Sequence, residues 1–153
     1  MRLLFALAAL LFVLPASAGK VQEPTLPQIN LARNWLEQLD AGRFEQAWTE
    51  AAQDLRSGTD LARWTKDVHS ARRSDAAVTC RHGLAVETFD DPPRVVVLFV
   101  TEFADGHRIG EKVTLPADAT QTAAISAYRA GPPPSDGSGH CDSSRPAATG
   151  STP

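Results

Sequence analysis

Residues 94–103 read RVVVLFVTEF, and this stretch decides the fold. A run so rich in β-branched and aromatic side chains favours an extended strand over a helix. Side chains alternate along a strand. Val95, Val97, Phe99, Thr101 and Phe103 therefore share one face, and Val96, Leu98, Val100 and Glu102 share the other. Both faces are largely apolar, which is the pattern of a central strand covered on each side.

The period of two continues on either side. Downstream, Asp105-Gly106 is a tight hairpin signal. RIGEKVTL at 108–115 then returns as a strand, with Ile109, Glu111, Val113 and Leu115 alternating against Gly110, Lys112 and Thr114. TAAISAYRA at 122–130 is a last, weaker strand ending near Arg129. Upstream, DDPP at 90–93 is a turn, and AAVTCRHGLAVETF at 76–89 is a first strand with Gly83 as a bulge or bend.

Before Ser74 the period is helical. In LPQINLARNWLEQLDAGRF at 26–44, Ile29, Ala32, Trp35, Leu36 and Leu39 fall on one stripe. Gly42 is placed to adopt a left-handed C-terminal cap. Phe44, Ala47, Trp48, Ala51, Ala52 and Leu55 form the stripe of a second helix closed by Ser57-Gly58. A third spans about 60–73, with Thr59 as N-cap and Leu61, Trp64, Val68 and Ala71 as its stripe. One tryptophan per helix, each on the apolar face, reads as packing rather than as a cofactor or sugar platform. Three helices followed by four antiparallel strands predict an α+β fold in which the helices cover one face of a curved sheet. The open end of such a sheet forms a cavity, or its other face is buried in a dimer.

The ends of the chain differ from this middle. Arg2, the apolar run Leu3–Leu14, Pro15 and Ala16-Ser17-Ala18 have the order of a secretory signal peptide. The run is shorter than the roughly 20 residues of a permanent anchor. Residues 1–18 are thus expected to be removed, 19–28 to lead into the fold, and 29–130 to form a single domain. From Gly131 proline, glycine and serine dominate, so 131–153 reads as a disordered tail. The expected location is periplasmic or secreted, where disulfides persist. Fifteen Lys and Arg stand against 18 Asp and Glu, a net charge of −3. That mild acidity argues against nucleic acid, whose binders carry a strongly basic face.

The densest chemistry lies in VTCRHG at 78–83. Cys80 and His82 share a face, the geometry of a thiol beside a base. They would also combine with His140 and Cys141 as a zinc set, although adjacent ligands are not the usual spacing. The simplest reading is a Cys80–Cys141 disulfide, since these are the chain's two cysteines. Closing so long a loop stabilises by about 4 kcal/mol on the entropy model and holds part of the tail against the first strand. Arg81 then points to the opposite face and is a candidate binding residue. Glu102 and Glu111, on neighbouring strands, are candidate binding residues too. They form a carboxylate pair if they face one cavity; otherwise each is solvated or pairs with Arg81 or Arg108. Arg72-Arg73 reads as a solvated helix end, and His69 and His107 as surface residues. No phosphate-binding loop, Ser-His-Asp signature or zinc-protease motif appears, so neither a cofactor nor a catalytic set is expected.

The stretch NWLEQLDAGRFEQAWTEAAQDLRS at 34–57 resembles the opening of a family of small exported bacterial proteins, domain of unknown function 4019. The resemblance is carried by Trp35-Leu36, Asp40, Gly42, Phe44, Ala47-Trp48 and Ala51-Ala52, then by Trp64 and Arg72. Thr79–Arg81, Phe103, Glu111–Leu115 and Ala127-Tyr128 extend it, so that it covers roughly 29–129. Ser74-Asp75 and Ala123–Ile125 stand where the family has a glycine and a tryptophan. The resemblance implies a helix-plus-sheet cone like those of nuclear transport factor 2 or cystatin relatives, and no activity.

These readings point to a non-enzymatic periplasmic module that binds a protein partner or a second copy of itself, without nucleic acid or a stable membrane anchor. An immunity or inhibitor protein against an envelope-acting toxin is one form of that role. The alternative is a small-molecule carrier or small enzyme using the cone cavity, with Arg81, His82, Glu102 or Glu111 at its mouth.

Overall fold

The computed structural model describes residues 26–120 and 125–135. Helix α1 (Leu26–Asp40) is followed by the short α2 (Phe44–Glu50) and α3 (Gln53–Arg56), and by α4 (Leu61–Arg72). Strands β1 (Val78–Asp90), β2 (Pro93–Phe103), β3 (Arg108–Pro116) and β4 (Ala127–Gly131) then form one sheet. The sheet order is the chain order, every neighbouring pair is antiparallel, and β2 lies inside it. The α+β architecture read from the sequence is the one observed.

The helical layer covers the inner face of the sheet. Ala32, Trp35, Leu36 and Leu39 of α1 meet Val95, Val97 and Phe99 of β2 and Val113 and Leu115 of β3 in one buried cluster. Trp64 and Val68 of α4 complete it, with Trp48 partly buried beside them. The three tryptophans are packing residues. Trp64 lies between the other two, its ring 6.2 Å from Trp35 and 5.2 Å from Trp48. The Trp35 indole donates to the Ala47 carbonyl at 3.0 Å, which satisfies its polar edge inside the core.

Gly42 takes the left-handed conformation (φ 71°) that ends α1, and Gly106 does so (φ 80°) at the β2–β3 hairpin. In that hairpin the Asp105 carboxylate accepts from the His107 backbone N–H at 2.9 Å. The β1 ladder shifts register between Gly83 and Ala85, the irregularity expected at Gly83, and again between Val78 and Cys80.

Four local expectations are corrected. The second helix breaks at Ala51-Ala52, both extended, because the Ala52 N–H donates to the Ile125 carbonyl at 2.9 Å rather than continuing the helix. The N-cap of α4 is Asp60, whose carboxylate accepts from the Arg63 N–H at 2.8 Å; Thr59 lies one residue outside. The last strand begins only at Ala127, and Ile125 is instead a buried core residue. It also runs to Gly131, one residue into the segment read as tail. Residues 1–25, Cys141 and most of the tail lie outside the described residues, and the last three residues of the expected leader, 26–28, belong to the first turn of α1. None of the described helices is long and apolar enough to cross a membrane.

Candidate functional site

Two carboxylates and two guanidinium groups meet between the helices and the sheet. Each arrives by ordinary periodicity. Asp40 lies one turn past Leu36 on the buried stripe of α1. Arg72 lies one turn past Val68 and two past Trp64 on that of α4. Arg81 shares the inner face of the sheet with Thr101, its partner in the β1–β2 ladder. Glu111 sits between Ile109 and Val113 on the inward side of β3, and Tyr128 is opposite Val113 on β4.

Arg81 grips both acids. Its Nη1 and Nη2 donate to Asp40 Oδ2 and Oδ1 at 2.8 and 2.9 Å, a two-pronged fork. Its Nε donates to Glu111 Oε2 at 3.1 Å and to Thr101 Oγ1 at 3.0 Å. The Thr101 hydroxyl in turn donates to Glu111 Oε2. Tyr128 donates to the other Glu111 oxygen, Oε1, at 2.7 Å. Arg72 donates to Asp40 Oδ1, and its Nε lies 3.7 Å from Glu111 Oε1. Its guanidinium also sits over the Phe103 ring, 5.4 Å from the centroid.

The charges cancel, which is what permits their burial. The Glu111 side chain is 0 % exposed, Arg81 4 %, Arg72 6 % and Asp40 19 %. Burial alone would raise the Asp40 carboxyl, but the hydrogen bonds and charges of Arg81 and Arg72 outweigh it and hold it below the usual carboxylate value. Burial likewise works against the Arg81 charge, and Asp40 and Glu111 overcome it, so its pKa is raised. Burial, then the negative charge of Glu111, pushes the Tyr128 phenol well up, which keeps it a hydrogen-bond donor.

The residues singled out from the sequence divide between the two faces. Arg81 lies on the face opposite to Cys80, as read, but that face is the inner one, where it pairs with Glu111. Glu102 lies on the outer face with Arg108, 4.0 Å away, so the carboxylate pair does not form. Cys80 and His82 are also on the outer face, so of the four residues placed at a common cavity mouth only Arg81 and Glu111 meet. Among the described residues no cysteine is free and no group of three or more His, Cys, Asp or Glu side chains could hold a metal ion. Cys141 and His140 fall outside the described residues. Arg72 is a buried charge rather than a solvated helix end, whereas Arg73 is exposed as the left-handed cap of α4. His69 is half-exposed beside Asp75, but His107 is partly covered and stacks on Phe103 with ring centroids 6.1 Å apart. Asp40, Arg72, Thr101 and Tyr128 were not among the candidates. Their signal in the sequence is a polar residue standing at a stripe or inward strand position.

The β1–β2 turn carries a different surface. Glu87, Thr88, Phe89 and Asp90 are all exposed, and Phe89, at 38 %, is the one exposed large hydrophobic side chain among the described residues. The Arg94 guanidinium stacks on its ring, 4.5 Å from the centroid.

A family model described as "Protein of unknown function (DUF4019)" matches residues 31–128. No curated protein and no solved structure matches the chain.

Proposed function

The chain belongs to the DUF4019 family, and from that premise we propose that it is a non-enzymatic binding module, exported to the periplasm, that acts by contact with another protein. The observation that carries this reading is the Phe89–Arg94 pair at the rim of the sheet. An exposed aromatic ring stacked with an arginine is the side-chain chemistry enriched where protein interfaces concentrate their energy. The inward acids and bases, by contrast, are engaged with one another in a neutral cluster, a structural use that leaves contact with a partner to the surface. The partner of this proposal is a protein of the cell envelope, and an immunity or inhibitor role against a toxin is its narrower form.

Two finer readings belong to the same proposal. Cys80 is bridged to Cys141, as expected of two cysteines in an oxidising compartment. The fold is kin to the cones of nuclear transport factor 2 or cystatin relatives, a view supported by helices that precede and cover an antiparallel sheet.

The test is affinity capture from envelope extract with the tagged protein, in parallel with Phe89→Ala and Arg94→Ala. We expect a specific partner that the two variants lose while keeping their fold by circular dichroism. Repeated recovery of no partner, or equal recovery by the variants, overturns the reading.

A further inference from the structure

The helices pack on the inner face of the sheet, and the outer face is shaped by the chain that leaves β4. A side chain added at Gly110 would meet the Pro132 carbonyl oxygen at 3.0 Å and Pro133 Cα at 3.7 Å. The backbone after β4 therefore lies directly over Gly110, and a glycine there is what allows the approach. Beside this crossing runs a groove of about 480 Å³, walled by Leu84, Leu98, Pro132 and Pro134. Both leucines are half-buried. The volume is that of a small-ligand site, and the walls are apolar, as in such sites generally.

Two cations stand at the side of this groove. Lys112 and Arg129 both line it, and they are direct cross-strand partners in the β3–β4 ladder. Glu111 and Val113 beside Lys112 are buried inward, and Tyr128 beside Arg129 reaches Glu111, so the two cations share the outer face, where both are exposed. Like charges directly opposite in a ladder, with Cβ atoms about 5 Å apart, destabilise a sheet. Among the described residues neither cation makes an ion pair, whereas Arg108 on the same face has Glu102 at 4.0 Å. The acids of this face, Glu87 and Glu102, stand on β1 and β2, and the remaining outer positions of β3 and β4 near the pair are Gly110, Thr114, Ala127 and Gly131. The sheet thus holds an uncompensated pair of positive charges against an apolar wall, and an anion between them would relieve the repulsion.

We propose that this groove binds a single-chain amphipathic anion. Its apolar chain lies against Leu84, Leu98 and the prolines, and its carboxylate or phosphate head bridges Lys112 and Arg129. The arginine fork can take two head-group oxygens at once, and the lysine adds a compact point charge. Binding turns the repulsive β3–β4 pair into two charge-assisted contacts. The inference goes beyond the protein contact proposed above and does not rest on it, since Phe89 and Arg94 are not part of the groove.

The test is isothermal titration calorimetry of the purified chain with octanoate, decanoate and decyl phosphate, all below their micelle concentrations. Decyltrimethylammonium, inorganic phosphate and anionic lipid vesicles serve as comparisons. One anion should bind per chain, and the tighter of decanoate and decyl phosphate identifies the head group. Affinity should rise about fourfold per methylene buried, so decanoate should bind on the order of tenfold tighter than octanoate. Lys112→Ser with Arg129→Ser should weaken binding at least tenfold while the melting temperature holds or rises, because the repulsion is gone. A pair that served only the fold would lose stability instead. Gly131 also lines the groove, and a Cβ added there meets nothing within 4 Å. Gly131→Leu should therefore fill the groove and weaken binding with both cations in place. Several results overturn the site: no binding of either decyl anion, equal binding of the cationic amphiphile, inorganic phosphate as tight as decyl phosphate, binding to vesicles alone, or affinities unmoved by the variants.

Discussion

Arg81 on β1 reaches Glu111 on β3 by passing over Thr101 on the strand between them, with its Nε 3.1 Å from the Glu111 carboxylate. The same guanidinium holds Asp40 at the end of α1, so one side chain ties three strands to the helical layer. Removing one partner strands the other's charge where water does not reach. Glu111→Ala or Arg81→Ala should each cost about 3–5 kcal/mol. Replacing both by apolar residues, as in Arg81→Met with Glu111→Leu, should cost clearly less than the sum. Glu102→Ala, on the solvent side of the same sheet, should stay within about 0.5 kcal/mol. Urea unfolding of the four proteins measures this, and equal losses for Glu102 and Glu111 would contradict it.

Asp40 gives the cluster a pH dependence. Its folded pKa lies below the usual 3.8 because Arg81 and Arg72 outweigh the effect of burial. The carboxylate thus stabilises the fold fully above that usual value, and the contribution disappears as pH falls through the folded value. Urea midpoints of the wild type should drop between pH 5 and pH 3 more steeply than those of Asp40→Asn. Parallel curves would remove Asp40 from the acid response.

Adjacent arginines at the end of α4 should respond in opposite directions. Arg72→Ala leaves the partly covered Asp40 carboxylate and the buried Glu111 with one cation fewer and should cost about 3 kcal/mol. Arg73 is held at φ 55°, where a side chain is strained. Arg73→Gly relieves that strain and should stabilise by about 1 kcal/mol. Thermal unfolding of the two variants checks both signs, and a destabilised Arg73→Gly would show that its side chain matters more than its backbone.

The proposed bridge also has a thermal consequence. Its loop predicts about 4 kcal/mol, so reduction should lower the melting temperature by on the order of 10 °C. Cys80→Ser with Cys141→Ser should match the reduced protein. An unchanged melting temperature on reduction would mean that the tail is not tethered.

The elements were legible where their cause is local. The alternation in residues 94–103 and 108–115, the Asp105-Gly106 turn and the apolar stripes of α1 and α4 read directly, since each depends on neighbours in sequence. The break at Ala51-Ala52 did not, because it is fixed by the Ile125 carbonyl, a residue distant in the chain. The site was half legible for the same reason. Glu111 and Arg81 stood out as candidate binding residues, and their pairing was among the alternatives, but that both face the core was not legible. Arg72 read as a solvated helix end because the acid that neutralises it, Asp40, lies 32 residues earlier. A charge at a core position becomes reasonable only once its partner is known.

The sheet order has a kinetic meaning. Each strand pairs with the next one in the chain, so β1–β2 and β2–β3 close through short connections and can form as successive hairpins. The ties from Asp40 to Arg72 and Arg81 span 32 and 41 residues and close only when α1 docks. Substitutions at Val97 or Val113 should therefore slow folding, while those at Asp40 should chiefly speed unfolding. The charged cluster acts in this sense as the latch of the fold: it sets how long the assembled domain lasts rather than how quickly it is made.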